Sequence, residues 1–375
     1  MIATIAASAM FLTGALAEGE EVKKAYYQYT YEELNSLTIF QRALLNDWRL
    51  EGFTLAFITL FVLLFLAGDI YNKRLVVRLL ENLKGSFEKN FYQYGVNPNT
   101  LYIKDSSENY SSYATGRVNI AKVNILFKLK PRHNSFVWIL ETILSFFTVS
   151  VPYPTDRVDF VITPSSDAEY DNFIAAIVSK IGMNDYRKLN YFLSLTKTSD
   201  SPNLPQSFVY MSEANEFQEK ITTPDLKKAL TLESASFIRY LAVTDQPAEH
   251  PESLHEMTPR RKIILSTDVT SNVEQIKQIG RVLEALFQLV DKLAAKEISF
   301  KAEAVKKVVK TRDLEIAKLQ KIEEEIKQEK LADEKAKLKR EERDKLRNSS
   351  KDEQLKAEKR AQERRARKQQ KKLRA

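Results

Sequence analysis

Residues 52–68 read GFTLAFITLFVLLFLAG, seventeen positions without a charge, and Ile70 and Tyr71 extend the apolar run. That approaches the ~20 residues needed to cross a hydrocarbon core, so a transmembrane helix is expected over 52–71. A buried core helix would also be apolar all round, but Trp48 and Tyr71 sit at the two ends as an interfacial aromatic pair would. Thr54 and Thr59 need no pore to explain them, because a helical threonine can bond a carbonyl of its own preceding turn.

The flanks orient this span. Arg42 and Arg49 precede it, whereas Lys73, Arg74, Arg78, Lys84 and Lys89 follow it. Excess positive charge stays in the cytosol, so the C-terminal side is expected there. Residues 1–17 are apolar and small and end in Ala15-Leu16-Ala17 before Glu18, Glu20 and Glu21, the pattern of a signal peptide, although no Lys or Arg precedes the apolar stretch. A signal peptide at 1–17 gives the same orientation and leaves 18–51, with seven acidic and four basic residues, as a short luminal tail.

Beyond the span, Leu75, Val76, Leu79, Leu80, Leu83, Phe87 and Phe91 recur at helical spacing and predict an amphipathic stalk over 72–97, stopped by Pro98. Residues 98–270 then read as one cytosolic mixed α+β domain. Strands are expected at 123–129 and 158–162, where apolar residues alternate, and at 237–243 and 261–269. Helices are expected near 136–148, 168–195 and 224–234, the last with Thr223 as N-cap and Pro224 at its first position. The run FVWILETILSFF at 136–147 carries one charge, Glu141, and is too short to span; it is either a core helix or an element in the membrane interface.

A long C-terminal helix is expected over 271–347, opened by a Ser271/Glu274 capping box. Ile276, Ile279, Leu283, Leu286, Val290 and Leu293 form a stripe too short for a free coiled coil, so it should pack on the domain's own sheet. After Phe300 the helix should become a charged rod with coiled-coil character. The fold class is therefore α+β, with a single transmembrane helix and a long charged C-terminal helix. Net charge is +8, yet residues 301–375 hold 27 Lys/Arg against 16 Asp/Glu, so the basic excess is local. A local excess points to an anionic partner, nucleic acid or lipid. It culminates in the basic tail, 348–375, where Arg364, Arg365, Arg367, Lys368, Lys371, Lys372 and Arg374 form either a phosphate-binding arm or a solvated charge run.

Chemistry is hard to find. With no cysteine, thiolate nucleophiles and cysteine zinc sites are excluded. The nine glycines form neither GxxxxGK[ST] nor GxGxxG, no G-x-S-x-G elbow occurs, and His133, His250 and His255 lack HExxH spacing. An enzyme is not expected, and neither is a cofactor or a metal site.

Taken together, the post-span stalk, Thr115-Gly116-Arg117, LPQSFVYMSEANEF at 204–217, TPRRKIILSTDV at 258–269 and the helix running into a charged tail are collinear with one family. The chain resembles the calumin family, coiled-coil-domain-containing membrane proteins of the endoplasmic reticulum that are subunits of the PAT chaperone complex, and its fungal relatives. The resemblance implies an endoplasmic reticulum membrane adaptor whose cytosolic domain and tail engage the ribosome, through its RNA, beside the Sec translocon, assisting multipass membrane-protein insertion. It leaves room for a small intramembrane partner subunit. Two alternatives stand beside it: a tether binding anionic lipid through the tail and the 136–147 helix, and a calcium-homeostasis factor. Animal members carry a long acidic luminal segment proposed to bind calcium, and here only 18–51 corresponds to it. Arg117, in a Gly-Arg step entering a strand, is either a structural clamp or a partner contact.

Overall fold

In a computed structural model the chain is described over residues 29–45, 48–97, 99–148 and 153–347, with Glu363, Ala366, Arg367 and Gln370 beyond them. The expected signal peptide, 1–17, and Pro98 lie outside the described residues. The chain divides into two compact units, Met1–Gly68 and Asp69–Ala375. The first contains α1 (Tyr31–Ser36), α2 (Ile39–Leu45) and the start of α3 (Arg49–Asn90). Among the described residues α3 is the one helix long and apolar enough to cross a membrane. Within it Thr54 and Thr59 donate to Glu51 O and Leu55 O, each on the preceding turn.

In the second unit, the part of α3 beyond Gly68 forms a wall of the core: Val76, Leu79, Leu80, Leu83 and Phe87 are buried. The helix ends at Asn90, well before Pro98. What turns the chain is aromatic packing on its own last turns: Tyr94 stacks on Phe87 at 4.8 Å and donates to Leu80 O at 2.9 Å.

The strands follow as β1 (Gln93–Tyr94), β2 (Ile103–Lys104), β3 (Asn109–Thr115), β4 (Ile120–Lys128), β5 (Arg157–Pro164), β6 (Ala175–Ser179), β7 (Lys197–Ser199), β8 (Phe208–Ser212), β9 (Ile238–Thr244) and β10 (Lys262–Asp268). They form one sheet, antiparallel throughout, ordered β1-β3-β4-β5-β10-β9-β6-β8-β7, with β2 on β3. Between them lie α4 (Ser135–Phe147), α5 (Met183–Leu189), α6 (Tyr191–Ser194), α7 (Asn215–Ile221) and α8 (Pro224–Ala229), and after β10 come α9 (Val273–Ala294) and α10 (Ala302–Arg347). One face of the sheet carries the large core, with Ile125, Phe160, Ile177, Leu241 and Leu265 against α3, α7, α8 and α9. The opposite face carries a smaller cluster, with Ala176, Val178, Met211 and Tyr240 against α5 and α6.

The mixed α+β architecture matches expectation, and further local readings need correction. The helix expected over 168–195 contains strand β6. All five of its residues are buried, Ala175 and Ile177 facing one core and Ala176 and Val178 the other. An apolar run buried on both sides has no alternation to distinguish it from a buried helix. The single helix expected over 271–347 is two. Lys296 takes the left-handed conformation at φ 58°, with Glu297 N donating to Lys292 O, and Phe300 enters an aromatic cluster 4.7 Å from Phe173 and 4.8 Å from Phe217. The cap of α9 is Asn272, which accepts from Glu274 N at 3.0 Å, and not Ser271. The stripe expected on α9 is buried in the main core throughout.

The core alternative for 136–147 also fails. Helix α4 has no buried residue, and its nine apolar side chains are each at least 36% exposed.

Candidate functional site

The topology of the central strands creates the most unusual site in the body. Strands β9 and β8 both pair antiparallel with β6, so they run parallel to each other and finish at the same end of the sheet: Val243 and Ser212 both lie opposite Ala175. The residues just past those strand ends are acidic, Glu213 and Asp245, and both are buried. Glu213 accepts from Ile174 N at 2.9 Å. Two carboxylates brought together in a dry place need a cation if they are to stay ionised, because an unpaired buried charge costs on the order of several kcal/mol.

The cation is Arg312, three turns into α10. Its Nη1 donates to Glu213 Oε1 at 2.7 Å and its Nη2 to Asp245 Oδ1 at 2.8 Å, with Nε reaching Asp245 Oδ2 at 3.1 Å. The guanidinium fork therefore meets both carboxylates, a geometry that an ammonium cannot reproduce. Side-chain exposure is 11% for Arg312, 3% for Glu213 and 1% for Asp245. Burial pushes the Glu213 carboxyl above its ordinary value despite the arginine. Burial alone would lower Arg312, but its bonds to Asp245 and Glu213 outweigh that and raise it, so it stays charged. Around this cluster Lys307 donates to Glu213 O at 2.8 Å, Tyr191 to Glu315 at 3.4 Å and Leu254 N to Glu323 at 3.4 Å. Helix α10 is thus mounted on the sheet's end through its first turns. Farther along, Ile326, Leu331 and Leu338 are exposed.

Two further arginines tie elements together. Arg117 lies in the turn between β3 and β4, where Gly116 adopts φ +93° and a Cβ would stand 2.6 Å from Tyr92 Cβ, so glycine is required there. Arg117 donates to Asp291 on α9 at 2.7 Å and to Asn90 at the end of α3 at 2.5 Å, with its guanidinium 5.7 Å from the Phe287 ring. Arg132 pairs with Asp156 through both Nη atoms at 2.7 and 2.6 Å, donates to Asn72 Oδ1 at 2.9 Å and lies 4.9 Å from the Tyr71 ring. Burial raises the Asp156 carboxyl, but the hydrogen bonds from Arg132 and Lys130 N outweigh it and hold the carboxyl below its ordinary value.

Of the seven basic residues expected to form an arm, Arg367 is helical and exposed, while Arg364, Arg365, Lys368, Lys371, Lys372 and Arg374 lie outside the described residues. His250 packs edge-on against Tyr191 at 4.9 Å. No group of three or more His, Asp or Glu side chains able to hold a metal occurs among the described residues. Sequence reading did not single out Arg312, Glu213, Asp245, Arg132 or Asn72. The one usable signal was Glu213, an acid immediately after the all-buried strand FVYMS.

An apolar helix of spanning length, an antiparallel α+β body and a charged helix mounted on it by a buried ion cluster define a class of membrane protein with an extended charged arm. The family model described as PAT complex subunit CCDC47 matches residues 47–368. The chain belongs to that family, as its resemblance to calumin implied. A UPF0674 endoplasmic reticulum membrane protein of Schizosaccharomyces pombe is 33% identical over 265 residues, covering 68% of this chain and 71% of the relative. A second UPF0674 endoplasmic reticulum membrane protein, from Saccharomyces cerevisiae, is 27% identical over 306 residues, covering 75% and 76%. The protein is an endoplasmic reticulum membrane protein of this family.

Proposed function

We propose that the protein is a binding adaptor and not an enzyme: anchored by α3 in the endoplasmic reticulum membrane, it engages the ribosome and the Sec translocon on the cytosolic face and assists insertion of multipass membrane proteins. The observation that carries this reading is helix α10. It is 46 residues long, about 70 Å of helix, with its first turns fixed by Arg312 and its later apolar positions exposed. A charged rod with a fixed base is built to present its far end to something large. Membership of a family described as PAT complex subunits supports a place in such a complex, with room for a small intramembrane partner. The cationic flank Lys73, Arg74 and Arg78 supports a cytosolic body. In the same reading 1–17 is a signal peptide, 18–51 a luminal tail, and 348–375 an arm that meets ribosomal RNA. Arg117 serves as a clamp, a role its bonds to two helices support.

The test replaces Arg364, Arg365, Arg367, Lys368, Lys371, Lys372 and Arg374 by Gln in the full chain. Each phosphate neutralised releases counterion, so cosedimentation with ribosomes should weaken and its salt dependence flatten. Because no aromatic residue follows Phe300, sequence preference should be slight. Cosedimentation unchanged at low and moderate salt would move the contact to the folded body.

A further inference from the structure

We infer that α4 is embedded in the bilayer leaflet on the body's side of the membrane, giving the body a second attachment to lipid beside α3. The proposal rests on α3 being the membrane span. It begins with the helix's polarity, which is inverted for a protein surface. At about 100° per residue, eight of the nine apolar side chains of α4 fall within about half the helix circumference, and Ser135, Glu141, Thr142 and Ser145 occupy the rest with Trp138. Those four polar residues are the half-buried ones, and the apolar arc, with Ile139, Ile143, Phe146 and Phe147, is exposed. A helix facing water would turn the other way, and an apolar face of this size is not left in water.

Its position in the fold names the occupant. The segment between Arg132 and Asp156 is closed at its base by their ion pair, and that base is fixed to α3 where the apolar run ends. Asn72, fully buried, donates to Lys130 O at 3.1 Å and to Ser107 O at 2.9 Å and accepts from Arg132, while Tyr71 lies under the Arg132 guanidinium. Asn72 directly follows Tyr71, the last residue of the apolar run. The entry to α4 is therefore bonded to the residues at which the apolar run closes. Exposed Lys73 and Arg74, the next two residues of α3, suit anionic headgroups, and half-exposed Tyr153, 5.8 Å from Lys130, suits the interface. The ligand is thus phospholipid, its acyl region taking the apolar arc, as for helices lying in the membrane plane.

The chain contains no cysteine, so single cysteines report one site each. Full-length Ile143→Cys, Phe147→Cys, Glu141→Cys, Val118→Cys and Leu60→Cys proteins, labelled with an environment-sensitive fluorophore, are reconstituted into phosphatidylcholine vesicles containing a minority of phosphatidylserine, with and without doxyl-labelled lipid. Thermal melts check each variant's fold. Labels at 143 and 147 should emit blue-shifted and be quenched to about half or more of the Leu60 value, with 141 weaker and 118 unquenched. Water-like emission at 143 and 147 beside a quenched Leu60 overturns the proposal alone. An unquenched Leu60 overturns the span and this proposal with it. Labels at 143 and 147 that are wet in vesicles but shielded in native microsomes overturn it in favour of a protein partner.

Discussion

Helices α9 and α10 are neighbours in sequence and are held by opposite means. In α9, eleven of 22 residues are buried, and the helix lies along the sheet with Phe287 against Phe87 and Phe91 at 5.9 and 4.9 Å. In α10, about twice as long, the apolar side chains that are buried among the described residues are Val308 and Leu319, and the closest ties are the bonds of one arginine. Apolar contact is spread over many residues and degrades gradually. An ion cluster concentrates attachment in one side chain, and removing that side chain leaves two carboxylates buried without their counterion.

The largest effect expected within this contrast is at the core helix. Phe287→Ala should lower the stability of the body by about 3–5 kcal/mol, through lost burial and the cavity left behind. Urea denaturation measures it, and a loss under about 1 kcal/mol would mean that α9 is not the main wall of the core. Next, Arg312→Ala should cost about 3 kcal/mol, with α10 becoming protease-sensitive before the body does. Arg312→Lys should not rescue it, since one ammonium cannot serve both carboxylates in fork geometry. If Arg312→Ala melts the body and α10 together, the two helices are held as one cooperative unit and the contrast fails. Arg117→Ala should cost about 1.5–2 kcal/mol, the worth of charged hydrogen bonds in a partly exposed place, seen as a lower midpoint with an unchanged urea slope. The smallest effect is Lys318→Ala, which breaks an exposed pair with Glu315 at 2.6 Å. It should change stability by less than about 0.5 kcal/mol, and a larger loss would show that α10 draws stability from its exposed pairs as well.

The same contrast explains what could be read from sequence. The stripe Ile276, Ile279, Leu283, Leu286, Val290 and Leu293 is a local pattern with one physical cause, and its burial follows from period alone. Strands β4, β5, β9 and β10 were recognisable by alternation or by β-branched runs. Strand β6 was not, being apolar on both faces. The break between α9 and α10 was equally hidden, because the left-handed residue is Lys296 and no Gly or Pro marks the place. Arg312 stands among the 27 basic residues of its region, and its partners are 99 and 67 residues away. Only the sheet's antiparallel order brings Glu213 and Asp245 together. Inverted helix α4 could be narrowed to two readings, since both a core and a bilayer demand apolar residues and sequence alone does not say which side faces out.

The break at Lys296 carries a mechanical consequence. Because α10 does not continue α9, its direction is decided where Arg312 meets two strand ends, and the exposed remainder acts as a lever on that pivot. From Arg312 to Arg347 the lever is roughly 52 Å long, so a tilt of about 10° at the pivot would sweep its tip through about 9 Å. Tightness at three side chains near the sheet thus sets the aim of everything carried beyond Arg347, and softening the pivot would blur that aim without altering a residue of the tip.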